Sequence, residues 1–193
     1  MTENEWTKSI CVKLQGYLEP YKLHAEVLRK IPYSQEIIGC SQDWEPEYMD
    51  PTRFETDLVI YETVNETIIP RVIIESKIEK VSTHDAITYS YKAEKHKNIT
   101  PYLRYGIMLG NRHHYPLPGR LFRHGTNFDF MFQFAGYNPT ENEWNTFIKM
   151  LLKEVKYSRV IEEMLHESRR KSRKQYFMFQ KQLMLKEQDL EEK

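Results

Sequence analysis

The hydrophobic and polar positions in the first half of the chain predict two neighbouring strands joined by a polar turn. The strands span residues 54–61 and 71–78, and each contains an uninterrupted apolar run that borders a charged residue. Side chains on a strand repeat every two residues, so Glu75 and Lys77 share a face. Pairing of the two strands would bring Asp57 beside them. Charges within a buried strand pattern are unfavourable unless they are paired or bind a metal, so this stretch is a candidate site.

The segments before this strand pair have the patterns of a helix and a strand. Residues 2–18 carry apolar side chains at three- and four-residue spacing, and Thr2 with Glu5 forms a capping box at their start. Residues 23–31 alternate as a strand that Pro32 is expected to end. The pattern therefore predicts a helix followed by a strand.

A long polar segment, residues 34–51, follows this first strand. It contains two prolines and five acidic residues, so we predict an irregular excursion from the fold. Trp44, Tyr48 and Met49 are expected to pack it against the body of the protein.

After the strand pair, the pattern predicts a helix that begins at Ser82 or Thr83 and ends near His96. The following elements are a strand at 104–109, a loop at 111–125 and a strand at 128–134 whose alternate phenylalanines predict a core face. Beyond Pro139, Thr140 and Glu143 form another capping box. Apolar residues at helical spacing then predict helix at 144–165 and again at 176–184, on either side of a strongly basic run.

The composition is that of a globular chain of 193 residues, with 28 basic and 28 acidic residues and no net charge. Any affinity for nucleic acid must therefore come from local basic patches. The two cysteines, Cys11 and Cys40, form no disulfide framework and no metal-type spacing. No apolar run reaches membrane-spanning length and the first residues lack the form of a signal peptide, so we predict a cytoplasmic (intracellular) protein without a membrane contact.

The predicted order of elements is helix, strand, strand, strand, helix, strand, and the charged residues lie on the second and third strands. This order resembles the PD-(D/E)XK nuclease superfamily, the fold shared by many type II restriction endonucleases. Asp57 lies in TDLVIYE, and Glu75, Ser76 and Lys77 lie in VIIESK. The likeness covers about half of the chain. Thr56 stands where the motif has proline, so one mark of the family is missing.

By this resemblance, Asp57 and Glu75 bind Mg²⁺, for which Mn²⁺ can substitute, and the backbone carbonyl of Ser76 is a further ligand. Magnesium favours oxygen ligands and offsets the charge of a phosphodiester, while Lys77 would orient or deprotonate the attacking water. A third acid often comes from the first helix in this superfamily. Glu5 is one candidate, and Glu26 on the first strand is the other. An ordinary ion-pair cluster at the end of a sheet is the alternative explanation of the three charged residues.

Basic side chains outside this cluster are candidates for contacts with DNA. They are Lys92 and Lys95 on the second helix, Arg112, Arg120 and Arg123 in the loop that also carries His113 and His114, and Arg169 and Arg170 near the end of the chain. Asn127 and Gln133 could contact base edges. Each residue alone is also explained by a solvated surface. The C-terminal apolar stripes either bind a second copy or fold back on the core.

These features predict a restriction-endonuclease-like α/β core with a mixed central sheet and DNA-facing loops, residues 1–137, and a helical C-terminal region, residues 138–193. The predicted function is a magnesium-dependent endonuclease that acts on double-stranded DNA, of the type II site-specific restriction kind. A homodimer is expected, since two-fold symmetry matches a palindromic site. One alternative is a repair or junction-resolving nuclease of the same fold. The other is a DNA-binding or assembly module without catalysis.

Overall fold

A computed structural model describes residues 1–113, 115–180 and 183–186. At its centre lies a five-stranded sheet with the strand order β1-β4-β5-β6-β7. In chain order the elements are α1 (Glu3–Leu18), a 3₁₀ turn (Glu19–Tyr21), β1 (His24–Ser34), β2 (Ile37–Cys40), β3 (Pro46–Tyr48), β4 (Thr52–Val64), β5 (Thr67–Ile78), α2 (Thr83–Ile99), β6 (Arg104–Gly110), α3 (Gly119–His124), β7 (Phe130–Gln133) and α4 (Glu141–His166). The predicted α/β class and element order are confirmed, with the β2–β3 hairpin inserted between β1 and β4.

The sheet is mixed, because β4 runs antiparallel to both of its neighbours whereas β5, β6 and β7 are parallel. Alternate side chains along β4 and β5 enter two different cores. Leu58 and Ile74 pack with α1 and α4 on one face, while Val59 and Ile73 pack with α2 on the other. This alternation decides which charged residues of the two strands meet.

Each of the three long helices begins with a capping box, which the sequence predicted for α1 and α4, whereas for α2 it predicted only a cap at Ser82 or Thr83. Thr2, Ser82 and Thr140 each accept a hydrogen bond from the backbone three residues on, and the acidic residue at that position bonds back to the capping residue. This reciprocal pair satisfies two backbone N–H groups at the start of the helix. The caps therefore fix where α1, α2 and α4 begin.

The first strand is longer than the sequence predicted. It does not end at Pro32 but continues to Ser34, which lies opposite Thr52 after a shift of register. A proline lacks the N–H that a central strand needs. Because β1 is at the edge of the sheet, that loss is tolerated and the predicted end is wrong.

The excursion between β1 and β4 is not irregular throughout, since it contains the β2–β3 hairpin. Within the described part of the chain, these two strands pair only with each other. Trp44 is 84% exposed, and Tyr48 and Met49 are also exposed. The prediction that these three side chains pack against the body is therefore wrong, because the hairpin extends away from the main sheet.

Smaller differences occur between β6 and α4. The predicted loop contains the short helix α3, and β7 is limited to Phe130–Gln133. Phe130, Phe132 and Phe134 pack in the core shared by α1 and α4, as predicted. Phe128 lies before the strand and packs with the side chains under α2 and α3 instead, so only three of the four phenylalanines share a face.

The C-terminal region is helical only as far as His166. The apolar stripe of α4 is buried in the same core as α1, including Trp144 and Phe147. Residues 167–180 form no helix, so the predicted second helical stretch is wrong for that part. A run of basic residues has no apolar face to bury, and packing of such a face supplies most helix stability. In the described part of the chain, no helix combines the length and apolar character needed to cross a membrane.

Candidate active site

The side chains of Asp57, Glu75 and Lys77 lie at the same end of the central sheet, on the face covered by α2. Leu58 pairs with Ile74, so Asp57 comes opposite the Glu75–Ser76 segment. Oδ2 of Asp57 accepts hydrogen bonds from the Ser76 backbone N at 2.7 Å and from the Ser76 hydroxyl at 3.1 Å. The strand register therefore brings together the residues that the sequence singled out.

Glu75 is fully buried, and its two carboxyl oxygens have different surroundings. Oε1 accepts a hydrogen bond from the Tyr105 hydroxyl and lies 3.4 Å from the Lys92 ammonium. Oε2 is buried and has no hydrogen-bond partner among the described residues. Burial, together with the negative charge of Asp57, raises the pKa of Glu75 to about 7, although Lys92 and Tyr105 act in the opposite direction. A buried carboxyl oxygen without a donor is unfavourable and is a suitable position for a cation.

Lys77 is held among anions and an aromatic ring. Its Nζ lies 3.1 Å from Oε1 of Glu3 and 3.8 Å from Oδ1 of Asp85. Burial alone would lower the pKa of Lys77, but the Tyr89 hydroxyl and the Glu3 carboxylate raise it above its ordinary value. The side chain is therefore a protonated cation near neutral pH. This favours charge stabilisation and orientation of water over the deprotonating role that the sequence left open.

Lys92, predicted as a phosphate contact, points toward the carboxylate of Glu75. Besides approaching Glu75, its Nζ donates to the backbone carbonyl of Glu55 at 3.1 Å. It also lies over the rings of Phe54 and Tyr89, 5.7 and 5.3 Å from their centroids. The ammonium thus offsets part of the negative charge of the buried site.

Neither acid proposed as a third ligand reaches the site. Glu5 is occupied by the capping box, where its Oε2 accepts from the Thr2 backbone N at 2.8 Å. Glu26 accepts from the Tyr61 hydroxyl at 2.5 Å and is paired with Arg29. The acid of the first helix that contacts the cluster is Glu3, through Lys77. The sequence contained this signal, because a capping box uses the third helical residue and leaves the first as the free acid.

Tyr105 is the second residue that the sequence did not identify. It is fully buried on β6, and its hydroxyl donates to Glu75. Behind it lies His96, whose ring is stacked on Tyr105 at 5.7 Å and whose pKa burial lowers to about 4. Sequence spacing gives no hint of this contact, because the register of a parallel strand is set by tertiary packing.

The predicted DNA-contacting arginines of the loop after β6 have different environments. Arg112 is buried and donates to the backbone carbonyls of Glu79 and Pro116, so it closes the loop rather than facing solvent. Arg120 is exposed and donates to the Val81 carbonyl at 2.9 Å, which places it just beyond the end of β5. Arg123 is exposed on α3.

Some of the other predicted nucleic-acid contacts already bond within the protein, and others are exposed to solvent. Asn127 donates to the Ser90 carbonyl at 3.2 Å and Gln133 donates to the Tyr115 carbonyl at 2.8 Å, so both amides hold backbone in place. Lys95 is half-buried over the ring of Tyr91. Two more predicted contacts, Arg169 and Arg170, are exposed beyond α4, while His113 is exposed and His114 is outside the described residues.

The donor set fits a hard divalent cation without forming a complete protein cage. Among the described residues, no group of three or more His, Cys, Asp or Glu side chains is placed to hold a metal ion. Asp57 and Glu75 supply two carboxylates, and Oε2 of Glu75 is buried without a donor. Mg²⁺ typically takes one or two carboxylates and completes its shell with water and phosphate oxygens. Asp57 and Glu75 therefore supply as many carboxylates as a typical magnesium site uses.

No protein-family model and no curated protein is similar enough to the chain to count as a match. Among solved structures, the chain is similar to the crystal structure of the pre-specific restriction endonuclease BsaWI in complex with DNA, with 13% sequence identity and a TM-score of 0.44. The similarity covers 86% of this chain and 63% of that one, so the chain spans less than two thirds of the length of BsaWI in that structure.

Proposed function

We propose that this protein is a magnesium-dependent endonuclease that hydrolyses phosphodiester bonds of double-stranded DNA, as a site-specific restriction endonuclease does. The observation that carries the proposal is the buried carboxylate of Glu75, whose Oε2 lacks a donor while Asp57 and Lys77 lie on the same sheet face. An ordinary surface ion-pair cluster would not bury a carboxylate completely and leave one oxygen without a partner.

In this function Asp57 and Glu75 would hold Mg²⁺, with Mn²⁺ as a substitute and the Ser76 carbonyl as a further ligand. When bound, the cation supplies positive charge that offsets the phosphate and lowers the pKa of water. The Ser76 N–H and hydroxyl keep the Asp57 carboxylate oriented. Tyr105 does the same for Glu75.

Lys77 would act on the substrate as a cation. Because Glu3 and Tyr89 keep it protonated, its ammonium can donate to the attacking water and to the phosphate oxygen on which negative charge develops. Glu3 holds the ammonium in place at 3.1 Å. Arg120 and Arg123 are exposed on α3, and Arg120 bonds to the Val81 carbonyl just beyond β5, so both would bind the flanking backbone of DNA.

The test is digestion of supercoiled plasmid and linear DNA with Mg²⁺ and with EDTA. Discrete fragments from the wild type with Mg²⁺ alone are expected. Asp57→Asn and Lys77→Met should each reduce cleavage by about 100-fold or more, since each removes a charge on which phosphate chemistry depends. Glu94→Gln, an exposed carboxyl on α2, is the matched control and should cleave normally.

The outcomes separate the alternative functions. Nicking that depends on DNA structure rather than sequence would favour a repair or junction-resolving enzyme. DNA binding without cleavage at any metal concentration would refute the nuclease and favour a binding module. Full activity in Asp57→Asn would show that the assigned site is wrong.

A further inference from the structure

The hairpin between β1 and β4 is an exposed structure without a partner of its own. We call residues 35–51 the acidic arm. Its two strands pair only with each other, and its turns are closed by its own atoms, as where the Ser41 backbone N donates to the Glu45 carbonyl at 2.9 Å. A single two-stranded hairpin is only marginally stable in water. The acidic arm therefore needs further contacts to be held in one conformation.

The arm carries large apolar side chains that no part of the described chain covers. Ile38 is 67% exposed and Trp44 is 84% exposed, and Ile37, Tyr48 and Met49 are also more than half exposed. Contiguous exposed apolar residues with a polar border are typical of a protein–protein contact. The arm thus has the composition of a docking element.

The charge of the arm restricts the chemistry of its partner. It contains five acidic residues, Glu36, Asp43, Glu45, Glu47 and Asp50, and no lysine, arginine or histidine. Phosphate groups would be repelled, so the arm is not a nucleic-acid contact. The complementary partner is a basic protein surface that also exposes aromatic side chains.

The chain itself carries such a surface beyond α4. We call residues 169–179 the basic tail. It contains five basic residues, Arg169, Arg170, Lys171, Arg173 and Lys174, followed by Tyr176, Phe177, Met178 and Phe179. These four large apolar side chains are all more than half exposed. The basic tail therefore matches the acidic arm in both properties, with opposite charge and with exposed apolar groups.

The fold separates the arm and the tail within one chain. The arm joins the sheet at Thr52, the first residue of β4. The last turns of α4 lie near the other end of β4, where Arg159 pairs with Glu62. Ten residues of strand at ~3.3 Å each separate these points by roughly 30 Å. The tail also stays near α4, since Lys174 pairs with Glu163 at 2.5 Å. In two copies related by a two-fold axis, the arm of each copy can lie beside the tail of the other, so the distance within one chain is no obstacle.

We propose that the acidic arm of one copy of this chain docks on the basic tail of a second copy, so that a homodimer forms through two equivalent arm–tail contacts. This goes beyond DNA cleavage, since it assigns the predicted C-terminal surface to a protein partner. It also concerns the active site, because the arm joins β4 five residues before Asp57. Dimerisation would therefore order the chain next to the carboxylates.

The experiment compares molar masses by size-exclusion chromatography with light scattering. The wild type should have twice the 23.3 kDa mass of one chain. The arm variant carries Glu36→Lys, Glu45→Lys and Glu47→Lys, which change the formal charge of the arm from −5 to +1. The tail variant carries Arg169→Glu, Arg170→Glu and Lys171→Glu, which change that of the tail from +5 to −1. Each variant alone should be monomeric. Like charges facing each other oppose association, so we expect the dissociation constant to rise by about 100-fold or more. All six side chains are exposed, so the fold should persist by circular dichroism.

Mixing the two variants gives the sharper result. In a heterodimer the positively charged arm of the arm variant meets the negatively charged tail of the tail variant, and the other contact is wild type. An equimolar mixture should therefore regain the dimer mass. Lys8→Glu with Lys149→Glu, two exposed lysines outside both segments, is the matched control and should remain dimeric.

Four outcomes would overturn the proposal. One is a monomeric wild type, which would mean that the arm is free or meets its own tail. Another is a dimer that survives both reversals. The third is a mixture that stays monomeric, since the two segments then do not contact each other. If the tail variant remains dimeric but loses affinity for DNA, the basic tail contacts DNA and the proposal is wrong. None of these results depends on cleavage, so they leave the nuclease proposal to its own test.

Discussion

The buried carboxyl of Glu75 makes stability depend on pH in a direction opposite to that of most acidic residues. Its pKa is 4.5 when unperturbed and about 7 in the folded protein, because of burial and the charge of Asp57. Between these two values the unfolded chain has released the proton while the folded chain retains it. The folded state binds more protons, so its stability falls as pH rises through this window and changes no further above it. Glu75→Gln, which keeps the shape and cannot ionise, removes this dependence.

The size of the effect follows from the two pKa values. The difference between about 7 and 4.5, at ~1.4 kcal/mol per pKa unit, gives about 3 kcal/mol. Glu75 is completely buried, so solvent screening does not reduce this figure much. Near pH 4.5 the variant and the wild type should be similar in stability, since both are neutral at this position. At pH 8 the variant should be more stable by about 3 kcal/mol.

The assay is urea unfolding at pH 4.5 to 8 in EDTA, followed by circular dichroism. With a slope of about 2 kcal/mol per molar urea, the variant midpoint should exceed that of the wild type by about 1.5 M at pH 8. Glu94→Gln, on the exposed face of α2, should leave the pH profile unchanged. Parallel profiles of wild type and Glu75→Gln would refute the reasoning, because they would show that Glu75 titrates normally in the folded state.

Two further substitutions test the groups around the sheet. Tyr105→Phe removes the hydroxyl that donates to Glu75 and should lower the free energy of unfolding by about 2 kcal/mol in urea at pH 8, where Glu75 is ionised and the bond has a charged acceptor. Tyr61→Phe is its control; the loss there should be smaller, because its acceptor is partly exposed. Arg71→Met leaves the buried Glu62 with one cation fewer and should lower stability by about 3 kcal/mol in thermal unfolding. A loss below about 1 kcal/mol would contradict the assigned burial of this pair.

The parts of the fold that the sequence predicted are those determined by neighbouring residues. Thr2 and Thr140 were identified as helix starts because a capping box is complete within four residues, and Ser82 was one of two neighbouring residues predicted to cap α2. The pairing of Asp57 with the Glu75 segment was predictable because a hairpin joins them along the chain. In both cases local spacing alone determines which groups meet.

The parts that the sequence missed depend on distant contacts. Tyr105 reaches Glu75 only because β6 pairs in parallel with β5 after a long crossover through α2. Pro32 was expected to end β1, but pairing with β4 continues past it at the sheet edge. Trp44 was expected to pack the segment between β1 and β4 against the body of the protein. Its exposure depends on the β2–β3 hairpin leaving the sheet, which no local pattern specifies.

The two ends of the central strands carry buried charge of different kinds, and the difference explains why only one end is a candidate site. At the β4–β5 turn end, Glu62 is paired with both Arg71 and Arg159, so its negative charge is fully balanced. A balanced ion pair fixes α4 to the sheet and has no oxygen free to bind a cation. At the other end, Glu75 faces a single lysine at 3.4 Å. One buried oxygen there lacks a donor, so positive charge from solution can still be accepted.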